Sequence, residues 1–314
     1  MNLLIGAATI GLILAPLALG VFISYRIYRT LDLTADGSFG VGAAVVAALL
    51  VRGTPPLAAT GLATMAGVVA GVITGVLHTR LLVSALLAGV LTSTGLYSAN
   101  LFIMGSGNLS LASAESLATL AERLGWLLGL PPSVTLLGTS VSGGRLAELV
   151  LMILLTGTLA LGLALFMGTD LGLGMRAAGN NPQMAKAVGI DVDRMVVFGL
   201  GLSNGLIALA GALLAQYEGF ANIQMGIGAV VTGVATLMVG ETLLGKRPLG
   251  RWIAGAVAGA VVFRLLVAAA LRAGLNPNAL KLVTAVLVLT VLALPNLMRK
   301  ARRRRSEEAA PSHA

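Results

Sequence analysis

The stretch Leu171–Met195, LGLGMRAAGNNPQMAKAVGIDVDRM, is polar and lies between two apolar stretches, each long enough to cross a membrane. Asn181 is a favourable N-cap, and Pro182 suits the first helical position because proline has no N–H to leave unpaired. Gly189 can adopt the left-handed conformation that ends a helix. These signals predict a helix of about seven residues, which is too short to be stable in water without tertiary support. We therefore expect another surface to hold it.

The composition is that of a membrane protein. The 314 residues are 57% hydrophobic and 11% charged, whereas soluble domains carry roughly 25% charged residues. We predict an all-α polytopic integral membrane protein with one transmembrane domain over 1–298. A basic tail over 299–314 is expected to be disordered and cytoplasmic. The N-terminal apolar run lacks a basic flank, so it is predicted to be a retained span and not a cleaved signal peptide.

Apolar runs bounded by glycine, proline or charge predict about nine membrane spans, within a range of eight to ten. They are 3–25, 38–52, 55–77, 83–104, 147–168, 195–217, 226–240, 252–271 and 280–298. With the N-terminus outside, 15 of the 21 basic residues fall on the inner side, five fall outside and Arg264 lies within a span. The positive-inside rule therefore predicts an outer N-terminus and an inner C-terminus.

Two of the predicted spans, 38–52 and 226–240, are short and resemble each other. Gly40-Val-Gly42 matches Gly226-Ile-Gly228, and a small-residue stripe follows each. The two spans run in opposite directions in the predicted topology, which indicates an inverted-topology repeat. Transporters place their substrate path between such halves, at short or broken helices. Chance similarity between glycine-rich apolar segments is the alternative.

The outer loop 105–146 contains an amphipathic pattern. Its apolar positions at helical spacing are Leu117, Leu120, Ala121, Leu124 and Leu128. Ser113 is the predicted N-cap, with Glu115 in the first turn. The helix either covers the membrane body or docks a soluble partner.

Enzymatic chemistry has little support in the sequence. Gly240–Arg247 matches a phosphate-binding loop except at Arg247, where a serine or threonine should hold Mg²⁺. Cysteine is absent, and no zinc or serine-hydrolase motif is present. The basic residues lack interleaved aromatics, so nucleic-acid binding is not expected. We predict no catalytic residue, no metal site and no cofactor bound by this chain.

Carboxylates fall mostly in predicted loops or at span ends, which argues against a proton-coupled carrier. Arg264 is the exception among charged residues, because it lies within a span and needs a wet cavity or a partner there. An anionic solute group, Glu241 or a backbone carbonyl could supply that partner. Further candidates for the solute path are Ser38, Tyr97, Asn100, Gln224 and Thr232. Such polar residues can equally bond a neighbouring helix.

The ordered set Arg176–Asp191, Leu209–Ala212 and Gly240–Gly245 resembles permeases of bacterial ABC importers, specifically the branched-chain amino-acid and ribose permease family. The resemblance covers roughly 35–300. It implies that the chain is a bacterial inner-membrane protein and that two permease subunits, identical or different, form the membrane core of the importer. It also implies two cytoplasmic ATPase subunits, which hold ATP and Mg²⁺, and an extracytoplasmic solute-binding protein.

By this resemblance, the family's coupling helix falls on Pro182–Val188, within a cytoplasmic loop over 172–194. The ATPase-coupling residues carried over are Arg176, Asn181, Pro182, Met184, Ala185, Lys186, Val188 and Gly189, with Met184, Ala185 and Val188 on the ATPase-facing surface. Arg264 and Asn276–Lys281 resemble the corresponding residues of a subgroup of this family that is associated with amino-acid-like substrates, including aromatic ones. The alternatives are a sugar or nucleoside as the ABC substrate, or a stand-alone secondary transporter or channel.

Overall fold

A computed structural model of the chain describes residues 2–127, 133–136, 139–245 and 248–274, together with isolated positions between 282 and 290. The elements are helices connected by short segments, with two small β-ribbons. The helices are α1 (Asn2–Ile13), α2 (Ala15–Val21), α3 (Thr34–Val51), α4 (Pro56–Thr79), α5 (Ala85–Met104), α6 (Leu117–Leu127), α7 (Gly143–Phe166), α8 (Asp170–Asn180), α9 (Pro182–Ala187), α10 (Val192–Glu218), α11 (Ala229–Leu244) and α12 (Leu249–Arg272).

Seven helical stretches in the described residues are long and apolar enough to cross a membrane. The first, Leu3–Ile27, combines α1, α2 and the π-helical segment Phe22–Ile27. The others are α3, α4, α5, α7, α10 and α12. This confirms the predicted all-α polytopic membrane class.

The first eight predicted spans each coincide with a helix, and two of them need comment. The span predicted at 38–52 begins earlier, at Thr34, and is 18 residues long, so it is not short. The span predicted at 226–240 is α11, which has only 16 residues. The ninth span, 280–298, and the tail, 299–314, lie outside the continuously described residues. The span count, the orientation and the inverted repeat stay predictions.

Helix α10 packs against α4 through a stripe of small residues. A Cβ added at Gly67, Gly71 or Gly75 of α4 would meet the backbone of α10. The second predicted stripe behaves alike, because a Cβ at Gly259 of α12 would meet the backbone of α11. Small residues allow backbones to approach closely where lipid supplies no hydrophobic driving force.

Proline accounts for the break between α1 and α2. Pro16 has no N–H, so it cannot bond the carbonyl of Leu12 four residues earlier. The hydroxyl of Thr156 in α7 donates to that carbonyl over 3.0 Å. A neighbouring helix thus satisfies the freed backbone group, as the membrane interior requires.

The predicted amphipathic helix is α6, and it packs onto the body of the protein. Leu117 and Ala121 are buried, and the Leu117 N–H donates to Gln216 of α10 over 3.0 Å. Its N-terminus is bonded through Ser116 and Thr119, not through Ser113 as predicted. Glu115 precedes the helix and pairs with Arg123. The Leu124 and Leu128 side chains lie outside the described residues.

Two antiparallel β-ribbons accompany α6, and the sequence pattern did not predict them. The strands β1 (Asn108–Ser110) and β4 (Phe220–Asn222) pair with each other. The strands β2 (Ser133–Leu136) and β3 (Thr139–Ser142) form the second ribbon. The β1–β4 pair ties the segment after α5 to the segment after α10.

Candidate coupling helix and solute path

The end signals of α9 form as the sequence predicts. The Asn181 side chain accepts from the Met184 N–H over 3.0 Å, and Pro182 occupies the first helical position. Gly189 has a φ of +86°, the left-handed conformation expected after a helix end. The helix closes at Ala187, with Val188 as its C-cap.

The support that α9 needs comes in part from this chain. Ala185 is only 3% exposed and packs in a cluster with Ala178 of α8 and Val192 of α10. The prediction that Ala185 belongs to the partner-facing surface is therefore wrong. Met184 and Val188, by contrast, are 65% and 67% exposed. One side of the helix is anchored, and the other leaves two large apolar side chains uncovered.

Helix α8, which precedes α9, packs closely against the end of the first span. Gly179 lies against the Ile27 carbonyl with no room for a Cβ, and Arg29 donates to the Asn180 side chain over 3.0 Å. The Tyr28 hydroxyl donates to the Met195 carbonyl of α10. Burial raises the pKa of this hydroxyl above its usual value.

The two basic candidates differ in environment. Arg176 is half-buried, and its Nε has no hydrogen-bond partner among the described residues. Lys186 is exposed and lines a cavity of about 420 Å³ behind α9. The segment Tyr28–Asp32 and the end of α4 form the opposite wall. Helix α9 therefore borders an open space as well as the residues of α8 and α10 that pack against it.

A buried polar network begins at the far end of this cavity. Asp32 is 6% exposed and accepts from the Asn204 amide over 2.7 Å, while Ser38 donates to the same side chain over 2.7 Å. Asn204 lies near the middle of α10, roughly 18 Å from its first residue at 1.5 Å per residue. Asp32 itself lies in the loop before α3, as expected for a carboxylate, but it is buried there.

Asp36 is half-buried in the first turn of α3. Its carboxylate accepts from the N–H groups of Gly228, over 3.2 Å, and Val230, over 2.9 Å. Gly228 itself has a φ of +87°. Asp36 therefore caps α11 from another helix, at a distance of about 190 residues along the sequence. Gly226 has no room for a Cβ because the Asp36 carbonyl lies against it.

A cavity of about 340 Å³ lies between α3, α5 and the segment before α11. Its lining is Asp36, Gly37, Gly40, Ser93, Thr94, Tyr97, Ser98, Asn100, Ile223, Gly226 and Ile227. Two predicted path residues, Tyr97 and Asn100, thus come together at one site. Asn100 is only 3% exposed, and its Oδ1 has no hydrogen-bond partner among the described residues.

The other four predicted path residues are not in this lining. Ser38 is buried and bonded to Asn204, so it is a helix–helix contact. Gln224 is exposed on the segment before α11, and Thr232 lies half-buried on α11. Arg264 is half-buried in α12, where its charged neighbour is Glu218 at the end of α10.

Glu241 is not the partner of Arg264. It forms an ion pair with Arg26 at 2.5 Å and accepts from the Trp252 indole N–H over 2.9 Å. These contacts join the π-helical segment, α11 and α12. The side chain of Glu241 is buried, which fits a structural ion pair between helices.

Sequence reasoning missed four polar lining residues. Ser93, Thr94 and Ser98 share α5 with Tyr97 at spacings that place them on neighbouring positions of one helix face. A polar stripe on an otherwise apolar span was the available signal. Asp36 gave no such signal, because its partners are on α11 and its position resembles a loop end.

Comparison with known proteins decides the family. Residues 3–293 match the family described as "Branched-chain amino acid transport system / permease component". The chain belongs to this family. No solved structure matches it.

Three relatives of this permease carry different names. A "Tyrosine transport system permease protein" of Clostridioides difficile is 36% identical over 297 residues, which covers 95% of this chain and 92% of the relative. "Uncharacterized protein RP368" of Rickettsia prowazekii is 31% identical, with 93% and 98% covered. "Autoinducer 2 import system permease protein LsrC" of Yersinia pseudotuberculosis is 28% identical, with 79% and 64% covered. The permease is therefore a multi-pass membrane transport subunit and not an enzyme itself.

Proposed function

We propose that this permease is the membrane-spanning subunit of an ATP-driven importer in a bacterial inner membrane. Cytoplasmic ATPase subunits would bind and hydrolyse ATP with Mg²⁺, and an extracytoplasmic binding protein would deliver a small solute. The observation that carries the proposal is α9, which is anchored on one side and leaves Met184 and Val188 exposed on the other.

The exposed side of α9 has the character of a protein-docking surface. Met184 and Val188 are four residues apart, a spacing that places side chains on one helix face. A contiguous apolar patch rimmed by polar residues is typical of an interaction site, and here two large apolar side chains adjoin each other on an otherwise polar segment. Lys186 and Arg176 add positive charge nearby. We propose that a groove of the partner ATPase receives this face.

The contacts of α9 offer a route by which motion would reach the solute cavity. The route runs from Ala185 to α8, then to the end of the first span through Gly179 and Arg29. The segment that follows contains Asp32, which is hydrogen-bonded to Asn204, and α3 begins directly after this segment. Asp36 on α3 then bonds the start of α11 at the cavity wall. Displacement of α9 would thus shift two walls of the cavity, α3 and the segment before α11.

A second permease copy, identical or related, would complete the path. Tyr97 and Ser98 are exposed on α5 beside the half-buried Asp36. Such polar groups are unfavourable against lipid, where no water satisfies them. Coverage by another permease subunit would enclose the cavity.

The proposed solute is an amino acid or a similar small molecule. A relative covering nearly the whole chain is named for tyrosine transport, which favours an aromatic amino acid. A relative named for autoinducer 2 import keeps a sugar-like solute as the alternative.

A stand-alone secondary transporter is the second candidate, because Asp32 is buried and Asp36 is half-buried, and a proton-coupled carrier needs titratable groups inside the protein. Both carboxylates are engaged in structural hydrogen bonds, Asp32 with Asn204 and Asp36 with the start of α11. Those bonds favour the ATP-driven proposal.

Co-purification with the ATPase encoded beside this permease tests the proposal. Met184→Asp and Val188→Asp should each reduce the recovered ATPase at least tenfold, since a buried unpaired charge costs several kcal/mol. Met184→Leu is the matched control and should retain the complex. Full recovery with both aspartate variants would contradict the proposed docking face.

A further inference from the structure

The cavity between α3 and α5 differs in charge from the chain that forms it. The sequence carries a net charge of +9. Asp36 is the charged side chain in the described lining, and neither lysine nor arginine contributes to it. The remaining polar groups are hydroxyls and the Asn100 amide. The local charge therefore favours a cationic or hydrogen-bond-donating group.

The two strongest acceptors in this cavity retain capacity for a ligand. Each Asp36 oxygen accepts one backbone N–H, whereas a carboxylate offers about four acceptor positions. The Asn100 Oδ1 has no partner within the described chain although its residue is almost fully buried. A buried carbonyl oxygen without a donor is unfavourable by about 1–3 kcal/mol. A ligand donor would remove that penalty.

Several donors at the helix end beside the cavity are already used. The N–H groups of Gly228 and Val230 are bonded to Asp36, and the Ala229 N–H is bonded to the Gly226 carbonyl. These three N–H groups are therefore not free to bind an anion. Arg264, the intramembrane cation, lies with Glu218 and is outside the lining.

We propose that this cavity recognises the ammonium group of an amine-bearing solute, with Asp36 and Asn100 Oδ1 as the acceptors. Tyr97, which is exposed in the same lining, presents an aromatic ring that a cation can approach. The inference rests on the proposed import function and specifies which solute group is recognised within the membrane. The solute carboxylate is not recognised at this cavity.

The absence of cysteine allows a direct test on the intact permease–ATPase complex. Ser98→Cys places a thiol in the lining, and Ser106→Cys places one at an exposed position beyond α5. Each thiol is reacted with methanethiosulfonate reagents of similar size, one carrying an ammonium and the other a sulfonate. The rate of each reagent at Ser98→Cys is divided by its rate at Ser106→Cys. After this normalisation, the ammonium reagent should react about tenfold faster than the sulfonate reagent, as a negative charge at close range predicts.

Asp36→Asn in the Ser98→Cys background should bring the normalised ratio close to one. Asn100→Leu removes an acceptor without changing charge, so it should leave the ratio high. A ratio at or below one in Ser98→Cys with Asp36 unchanged would overturn the proposal even if Asp36→Asn failed to assemble.

Protection experiments identify the group that is recognised. Tyramine has the amine without a carboxylate, and 3-(4-hydroxyphenyl)propanoate has the carboxylate without the amine. Tyramine should protect Ser98→Cys from modification, with a half-maximal effect at a severalfold lower concentration than 3-(4-hydroxyphenyl)propanoate. Asn100→Leu should weaken the protection by tyramine. Equal protection by both compounds, or stronger protection by the acid, would refute ammonium recognition. ATPase co-purification measured on the same samples tests the importer proposal separately.

Discussion

Asn204 holds three parts of the membrane body together through one amide. Its Oδ1 accepts from Ser38 of α3, and its Nδ2 donates to Asp32 and to the Leu200 carbonyl. All of these groups lie away from solvent. A hydrogen-bonded network of this kind is satisfied as a unit, so removal of its central member leaves several polar groups without partners.

Asn204→Leu should therefore be strongly destabilising. It conserves approximate volume but leaves the Asp32 carboxylate and the Ser38 hydroxyl without this partner, at a cost of about 3 kcal/mol. Thermal unfolding of the detergent-purified permease measures the effect. Gln224→Leu, at an exposed position, is the control and should stay within about 0.5 kcal/mol of wild type. Equal melting temperatures for the two variants would contradict the structural role of Asn204.

At the residue scale, predictability followed the range of each interaction. Asn181 and Gly189 were predictable because a cap and a left-handed turn depend on neighbouring residues. Ser38 and Asp36 were not, since their partners are more than 160 residues away. Asn100 was found as a polar residue in a span, but its free Oδ1 became evident only from packing.

At the scale of elements, the small-residue stripe of α4 sets its distance from α10. A Cβ at Gly71 would meet the Leu200 carbonyl oxygen, which is backbone and has little freedom to move. At Gly61 of the same helix, a Cβ would meet nothing within 4 Å. The two positions share a helix and differ only in the face that they occupy.

Gly71→Ala should destabilise the permease by about 2 kcal/mol, because overpacking forces the two helices apart. Gly61→Ala should be neutral or slightly stabilising, since alanine has the higher helix propensity. Unfolding of both variants in the same detergent provides the comparison. If Gly71→Ala and Gly61→Ala had the same melting temperature, the close contact between α4 and α10 would be wrong.

Most spans were predictable because apolar length is a property of the local sequence. The start of α3 was misplaced by four residues, since Asp36 looks like a loop residue until its bonds to α11 are known. The burial of Ala185 likewise depends on how α8 and α10 return to α9. Patterning located these elements, and long-range packing decided which faces they expose.

For the whole molecule, the orientation is a prediction that labelling can test. Because the chain has no cysteine, single substitutions report location cleanly. In intact cells, a membrane-impermeant maleimide should label Ser106→Cys before α6, whereas Gln183→Cys in α9 should react only after lysis. The reverse pattern would place the coupling segment on the outer side and contradict the proposed ATPase contact.

The cavity between α3 and α5 was the least predictable feature at this scale. Its walls come from α3, α5 and the segment before α11, which the sequence alone does not bring together. The family, in contrast, was recognisable from an ordered set of short motifs, and the match over 3–293 confirms it. Order along the chain identifies relatives, while a site depends on contacts between distant segments.

ATP-dependent uptake into proteoliposomes tests the central claim most directly. The permease is reconstituted with its ATPase and its binding protein, and uptake of the amino acid retained by that binding protein is followed with and without ATP. Uptake should require ATP, fall to background in Met184→Asp and persist in Met184→Leu. Uptake without ATP, or wild-type uptake by Met184→Asp, would contradict an importer coupled through α9.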